Sequence, residues 1–225
     1  MPEERMMANV IRSGSLVPEM IDAICDVLIP FYDQADGGEN IREFGRPEAV
    51  GLNIFENFTQ TEAFIDSPSL SKEQFDRIRN FSTRFLEQDE LFAARIEASR
   101  IRDCHGDLYS ANICLADQVY IFDCIEFNER FRYCDVASDI AFLAMDLDYH
   151  GLADLSQHFV QRFIEKSGDV GLKKMLNFYK CYRAYVRGKI NLFTANAKEV
   201  DGETKLQCQE MAKKYFQLAE RYASE

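Results

Sequence analysis

Apolar residues recur at helical spacing over most of the chain. Between residues 17 and 29 they repeat every three or four positions, which predicts an amphipathic helix. Pro18 suits the first turn of that helix, where its missing N–H would have no intrahelical partner in any case. Pro30 is expected to end or kink the helix, because proline removes a hydrogen bond from a helix interior. Gly37-Gly38 then predicts a turn.

Nearly everything outside residues 102–128 carries the same helical pattern. The further predicted helices are, in chain order, one from about Pro47, one that opens on a Ser71/Gln74 capping box, a stretch from Val136 to a candidate C-cap at Gly168, and two over roughly 170–195 and 203–223. No internal repeat or flexible linker interrupts this pattern, so residues 1–225 are expected to form a single domain.

Two short apolar runs, Ile113–Leu115 and Val119–Phe122, depart from the helical period. They flank Ala116-Asp117 as two strands flank the turn of a hairpin. The predicted fold class is therefore mainly α with a small β-hairpin insert, which belongs to the α+β class.

The composition narrows the range of partners. The chain has 38 acidic and 26 basic residues, for a formal charge of −12, and lacks the basic footprint of a nucleic-acid-binding protein. It has neither an apolar run of about 18 residues nor an apolar stretch behind a basic N-terminus, so we expect no membrane segment and a cytoplasmic location.

The seven cysteines form no CxxC pair. We expect reduced, mostly buried thiols rather than a zinc site.

Chemistry-bearing residues gather around the predicted hairpin. His105, Asp107 and Asn112 precede it in the segment CHGDLYSANI, and Asp123 follows its second apolar run. Phosphoryl transfer needs a carboxylate that orients the acceptor hydroxyl, and oxygen ligands that hold Mg²⁺ on the phosphates. In kinases a catalytic Asp is followed five positions later by a metal-binding Asn, and a metal-binding Asp comes later still. Asp107, Asn112 and Asp123 match this order.

The string HGDLYSANI, followed by IFDCIEFNERFRYCDVASDIAFLAMDL, resembles the aminoglycoside-phosphotransferase-like family of the protein-kinase-like superfamily. It is most similar to a bacterial, largely uncharacterised branch whose members are often fused to a P-loop kinase domain. The resemblance implies the large helical lobe of a kinase-like fold. It also implies ATP or GTP as the phosphate donor, Mg²⁺ or Mn²⁺ as the metal, and a small molecule with a hydroxyl group as the acceptor.

The resemblance assigns roles to single residues as well. Asp107 becomes the catalytic base, and Asn112 and Asp123 become ligands of the nucleotide-bound metal. The accompanying residues are His105, which anchors the loop backbone, Asp139, which braces the loop, and Glu126, which either assists the metal or faces solvent. Many relatives carry a second His where this chain has Tyr109, so the role of that position stays open.

Two parts of a complete kinase-like enzyme have no counterpart in the sequence. It contains neither a G-x-G-x-x-G loop nor a Walker A signature, and no valine-rich strand with a lysine precedes the first helix. We therefore expect this chain to be the large lobe without the small β-rich N-lobe, and to have poor activity alone. Its expected partner is the absent N-lobe or a fused P-loop domain.

Alternatives remain open at this level. Asp107 could begin a turn and Asp123 could end a strand, without any shared chemistry. The domain could be an idle nucleotide- or partner-binding module, or a metal-dependent hydrolase built on His105 and the two aspartates. Arg183 and Arg187 are four residues apart and would share a helix face. They either receive an anionic substrate or form a solvated face that pairs with acids.

Overall fold

The computed structural model describes residues 1–225 as a mainly helical fold with two small antiparallel sheets. The helices are α1 (Met7–Arg12), α2 (Pro18–Gln34), α3 (Glu39–Arg42), α4 (Pro47–Thr61), α5 (Lys72–Leu86), α6 (Asp89–Glu97), α7 (Glu129–Arg132), α8 (Val136–Tyr149), α9 (Ala153–Ser167), α10 (Leu172–Ala195) and α11 (Gly202–Tyr222). The strands are β1 (Ile101–Asp103), β2 (Ile113–Leu115), β3 (Val119–Ile121) and β4 (Tyr133–Asp135). The predicted α+β class is confirmed.

The two sheets hold both ends of the segment 104–112, which carries the candidate chemistry. The predicted hairpin is present as β2 and β3, with Ile113 opposite Ile121. In the other sheet β1 pairs antiparallel with β4, and Ile101 lies opposite Asp135. The sequence pattern does not predict this second sheet, because strands of three residues are too short to show an alternation of apolar and polar positions.

Helix α8 forms the centre of the core. Every residue from Val136 to Leu147 is buried, and α9 and α10 pack against it while α11 packs along α10. Two carboxylates of α8 are buried as well, and both accept hydrogen bonds from backbone N–H groups of the segment 104–112. Asp139 accepts from His105, and Asp146 accepts from Ser110. The central helix thus fixes the position of the loop.

Several predicted helix boundaries are confirmed. Helix α4 begins at Pro47, and both hydrogen bonds of the Ser71/Gln74 capping box are present at the start of α5. Gly168 ends α9 in the left-handed conformation, with a φ of 68°. This cap needs glycine, because a side chain in the left-handed region clashes with the backbone.

Two predicted helix ends differ from the structure. Pro30 is predicted to end or kink α2, and the helix does not end there but continues to Gln34. The missing hydrogen bond at Pro30 is offset by apolar burial on either side of it, at Leu28 and Tyr32. The predicted stretch from residue 136 to 168 is two helices, because the chain turns at Gly151, where φ is 80°.

The thiols are free, as predicted. Five of the seven cysteines are buried, Cys134 is half-buried and Cys124 is exposed. Burial raises the pKa of Cys25 to about 12, which keeps this thiol protonated and unreactive. No helix combines the length and the apolar composition needed to cross a bilayer.

Candidate active site

The segment 104–112 and the end of β3 bring Asp107 and Asp123 to one cleft, and Asn112 lies behind Asp107, to which it is hydrogen-bonded. Asn112 Nδ2 donates to the backbone oxygen of Asp107 at 2.9 Å and to its carboxylate at 3.2 Å. The N–H of Phe122 donates to the carbonyl of Asn112 at 3.1 Å, which places the next residue, Asp123, beside the loop. Asp107 and Asp123 line the same groove.

Asp123 is held in an unfavourable backbone conformation. Its φ is 63°, in the left-handed region that residues with a side chain seldom occupy. Its side chain is exposed and lines the groove. The carboxylate forms no ion pair, because the nearby Arg183 pairs with Asp139 instead. Strain at an unpaired carboxylate is typical of residues that bind a ligand.

His105 anchors the loop through both ring nitrogens. Its Nε2 lies 2.8 Å from the carbonyl oxygen of Phe122, and its Nδ1 accepts from the N–H of Asp107 at 3.2 Å. The ring is therefore the tautomer that carries its proton on Nε2, and it is buried. No group of three or more His, Cys, Asp or Glu side chains is arranged to hold a metal. This geometry leaves His105 no free nitrogen for a hydrolytic metal centre.

Asp139 holds the backbone of the loop, in the position that the family resemblance implies for it. Its carboxylate accepts from the N–H of His105 at 2.8 Å and from the N–H of Gly106 at 3.0 Å. The hydroxyl of Tyr32, on α2, donates to the same carboxylate at 3.1 Å. Because Asp139 is fully buried, each of these hydrogen bonds compensates for the loss of water around a charged group.

Gly106 is required by the shape of the loop. Its φ is 84°, and a Cβ at this position would lie 2.8 Å from the carbonyl oxygen of Phe131. Both the conformation and the contact exclude a side chain. Gly106 therefore packs closely against the backbone just before β4, which fixes the position of the next residue, Asp107.

Arg183 does not lie on a solvated face, and that expectation is wrong. Its Nη1 donates to the carbonyl of Gly106 at 2.9 Å, and its Nε donates to the hydroxyl of Ser138 at 3.1 Å. Burial opposes the charge of this guanidinium, but its surroundings, including Tyr182 and Asp139, favour the charge and raise its pKa. This position fits a brace of the loop better than a contact with a substrate.

Arg187 has a different environment one turn later in α10. Its guanidinium carbon lies 4.6 Å from the ring centroid of Tyr109 and 5.9 Å from that of Tyr215. Its Nε is buried without a hydrogen-bond partner. The guanidinium thus packs on aromatic rings next to the segment 104–112.

A groove of about 740 Å³ opens beside Asp107 and Asp123. Its walls come from α4, α10 and the segment 123–131, and its polar lining consists of amides and charged groups. Besides Asp107 and Asp123, these residues are Asn53, Glu56, Asn57, Gln60, Glu126, Arg183 and Lys189. Glu56 pairs with Arg130 at 2.8 Å, and Lys189 donates to Gln60. Burial lowers the pKa of Lys189.

The donor set fits a divalent cation of the Mg²⁺ type. Asn112 uses its amide nitrogen to bind Asp107, so its amide oxygen is free for a metal. Asp123 supplies one carboxylate, and Glu126 is an exposed carboxylate on the same groove. Mg²⁺ binds to proteins through one or two such oxygens and completes its shell with phosphate oxygens and water. A cluster of many protein ligands is therefore not needed to bind Mg²⁺ at this position.

Two residues of the site carry no sequence signal. Tyr32 lies far upstream in a helix that otherwise shows only an apolar stripe, and its hydrogen bond to Asp139 depends on the fold. Ser138 contacts Arg183 across two helices. The string DVASDIA marks Asp139 but does not show which of its neighbours will meet α10.

Comparison with known proteins places the chain beside longer mycobacterial proteins. It is 34% identical over 190 residues to an uncharacterized protein of Mycobacterium tuberculosis and to one of Mycobacterium bovis. The match covers 84% of this chain but 38% of each relative, so the chain spans well under half the length of the curated relatives it matches. No protein-family model matches the chain, and no solved structure matches it.

Proposed function

We propose that this chain is the large lobe of a kinase-like phosphotransferase, which transfers the terminal phosphate of ATP or GTP to a hydroxyl group of a small molecule. One observation carries the proposal: the bond from Asn112 to the carboxylate of Asp107, beside the strained Asp123 at the edge of one groove. The resemblance of this segment to the aminoglycoside-phosphotransferase-like family supports the same function.

Asp107 accepts the proton of the acceptor hydroxyl, or orients that hydroxyl toward the phosphate. Asn112 keeps the carboxylate in place through its amide nitrogen and, with Asp123, would hold Mg²⁺ or Mn²⁺. Such a metal, when bound, neutralises part of the charge on the nucleotide phosphates. His105 and Asp139 fix the loop, so the site is arranged before any ligand arrives.

The groove is the proposed binding place of the acceptor. Its amides, Asn53, Asn57 and Gln60, both donate and accept hydrogen bonds, which suits an acceptor with several hydroxyl groups. The proposed enzyme works in the cytoplasm, where its unpaired thiols stay reduced. Its partners are a small β-rich lobe or a P-loop domain that grips the remaining phosphate oxygens.

The test is titration of Mg²⁺–ATP into the wild type and into Asp123→Ala, followed by calorimetry. We expect weak, metal-dependent binding to the wild type and a loss of affinity on the order of tenfold or more in the variant, because the metal loses its carboxylate ligand. Asp117→Ala is the matched control, since Asp117 is an exposed carboxylate in the turn of the same hairpin. Identical isotherms for all three proteins would refute the metal site.

A second measurement separates the enzyme from the idle binding module. The enzyme, supplied with its small lobe, should release ADP from Mg²⁺–ATP in the presence of an acceptor, whereas a binding module binds the nucleotide without turnover. Nucleotide binding that depends on Asp123 but never leads to ADP release would favour the idle module.

A further inference from the structure

Arg187 differs from the two buried arginines, Arg95 and Arg183. Arg95 is bound by two carboxylates, and Arg183 donates to a carbonyl and a hydroxyl. The guanidinium of Arg187 forms no ion pair, and its Nε has no hydrogen-bond partner. It contacts the rings of Tyr109 and Tyr215 instead.

A half-buried cation without a paired carboxylate is unfavourable, because hydrogen bonds to neutral tyrosines replace only part of the water that burial removes. The chain has 38 acidic residues against 26 basic ones, so acidic side chains are not scarce. Burial alone would lower the pKa of Arg187, but Tyr215, Tyr109 and Asp107 act in the opposite direction and raise it. The charge is therefore kept, and it is electrostatically close to Asp107.

Tyr109 connects this charge to the catalytic segment. The tyrosine follows Asp107 by two positions, and its ring is stacked on Phe142 at 5.6 Å with an angle of 13° between the planes. With Phe142 behind it, the ring of Tyr109 supports the guanidinium of Arg187 in a fixed place. Hydrogen bonds to the side chains of Tyr215 and Tyr109 use part of its N–H donors. No carboxylate takes the others, so donors of the planar fork remain for an anion.

We propose that Arg187 binds the terminal phosphoryl group of the nucleotide, the group that Asp107 directs onto the acceptor. This inference rests on the proposed function and identifies the cationic side chain that would contact the terminal phosphate. Five N–H donors in a planar fork match phosphate oxygens, and charge on the transferred phosphoryl group needs such a cation. The strong negative charge of the chain makes a fixed cation at this point more important.

The test compares Mg²⁺–ATP with Mg²⁺–ADP, which lacks the terminal phosphate. Arg187→Gln should lower the affinity for Mg²⁺–ATP about 10- to 100-fold, the range for hydrogen bonds to charged groups, and leave that for Mg²⁺–ADP unchanged. Arg187→Lys, which keeps the charge, should recover part of the loss. In ¹⁵N NMR spectra the Nε–H signal of Arg187 should shift with Mg²⁺–ATP and stay in place with Mg²⁺–ADP.

The matched control is Lys214→Gln. Lys214 also lies over a tyrosine, with Nζ 4.0 Å from the ring centroid of Tyr149, so its loss removes the same charge and the same kind of contact. This variant should keep the wild-type ratio of ATP affinity to ADP affinity.

Other outcomes overturn the inference in distinguishable ways. Equal losses for both nucleotides in Arg187→Gln would assign Arg187 a purely structural role, while the proposed function would stand. Binding of inorganic phosphate that depends on Arg187, with an unchanged ratio of ATP to ADP affinity, would place a phosphate of the acceptor there instead. Wild-type protein that binds neither nucleotide, with or without Mg²⁺, would refute the proposed function and this inference with it.

Discussion

At the residue scale, Asp107 has a backbone fixed by a hydrogen bond and a carboxylate that lines the groove. Its N–H is bound to the ring of His105, and its carboxylate accepts one hydrogen bond from Asn112 and faces the groove. In the enzyme with its small lobe, Asp107→Asn should lower turnover roughly 10²–10⁴-fold, the usual contribution of a positioned general base. Nucleotide affinity should be nearly unchanged, because an asparagine oxygen can still accept from Asn112. Initial rates of ADP release and calorimetry check the two parts.

Asp117→Asn serves as the control for this change, since it alters the same atoms on the exposed turn of the hairpin. Turnover of Asp107→Asn at the wild-type rate would remove Asp107 from its proposed role. A parallel loss of nucleotide affinity would point to a role in binding.

In the sequence, the residues proposed for the chemistry are easier to locate than the residues that support them. Asp107, Asn112 and Asp123 lie in one short stretch, and their order alone points to phosphoryl transfer. For Arg183 the alternative of a solvated face is wrong, because the i, i+4 spacing shows a shared helix face without showing what that face packs against. Tyr32 is hidden for a similar reason, since its partner Asp139 lies 107 positions away.

At the element scale, a buried ion network ties three segments to the start of α8. Arg95 on α6 donates to Asp135 at 2.7 Å, and it also pairs with Asp169 in the turn before α10. Asp135 in turn caps α8 by accepting from the N–H of Ala137 at 2.9 Å. These groups are nearly inaccessible to water, so each depends on the others for its hydrogen bonds.

Arg95→Leu should lower the free energy of unfolding by about 3–5 kcal/mol, because two buried carboxylates lose their cation. Urea denaturation followed by circular dichroism measures this change. Arg100→Leu is the matched control: Arg100 lies 3.7 Å from Asp169 but is partly exposed, and its removal should cost about 1 kcal/mol or less. Equal effects of the two substitutions would contradict the importance of the buried network.

The long helices are predictable because their apolar period extends over several turns, as in α10 and α11. The sheet of β1 and β4 is not, because it depends on pairing between segments about thirty positions apart. Pro30 shows the same limit in reverse. A local rule ends the helix there, and tertiary packing around Leu28 and Tyr32 overrides the rule.

At the scale of the whole molecule, the proposed function would have this chain supply one side of a phosphate clamp. It spans 38% of the length of its mycobacterial relatives, and it contains no glycine-rich loop or lysine-bearing strand to cover the phosphates. We expect the 225-residue chain alone to turn over Mg²⁺–ATP at or near the rate of a protein-free blank. Phosphoryl transfer depends on positioning and electrostatic clamping, and an open site weakens both.

Release of ADP by this chain, and by the same chain joined to a β-rich lobe that carries the missing loop and lysine, measures the difference. Without Mg²⁺ both proteins should bind ATP more weakly still, since the net charge of −12 repels the phosphates. Rapid turnover by the short chain would show that its own cations suffice to hold the nucleotide, with Arg187 as the first residue to examine.

The three-way binding of Asp139 has a consequence for fragments. A peptide of residues 100–150 would contain Asp107, Asn112 and Asp123, together with Asp139 itself. It would lack Tyr32, which donates to Asp139, and Arg183, which holds the carbonyl of Gly106. Asp107, Asn112 and Asp123 therefore lie close together in the gene, yet a fragment that contains only them is not expected to form the site, because residues from the rest of the domain hold the loop in place.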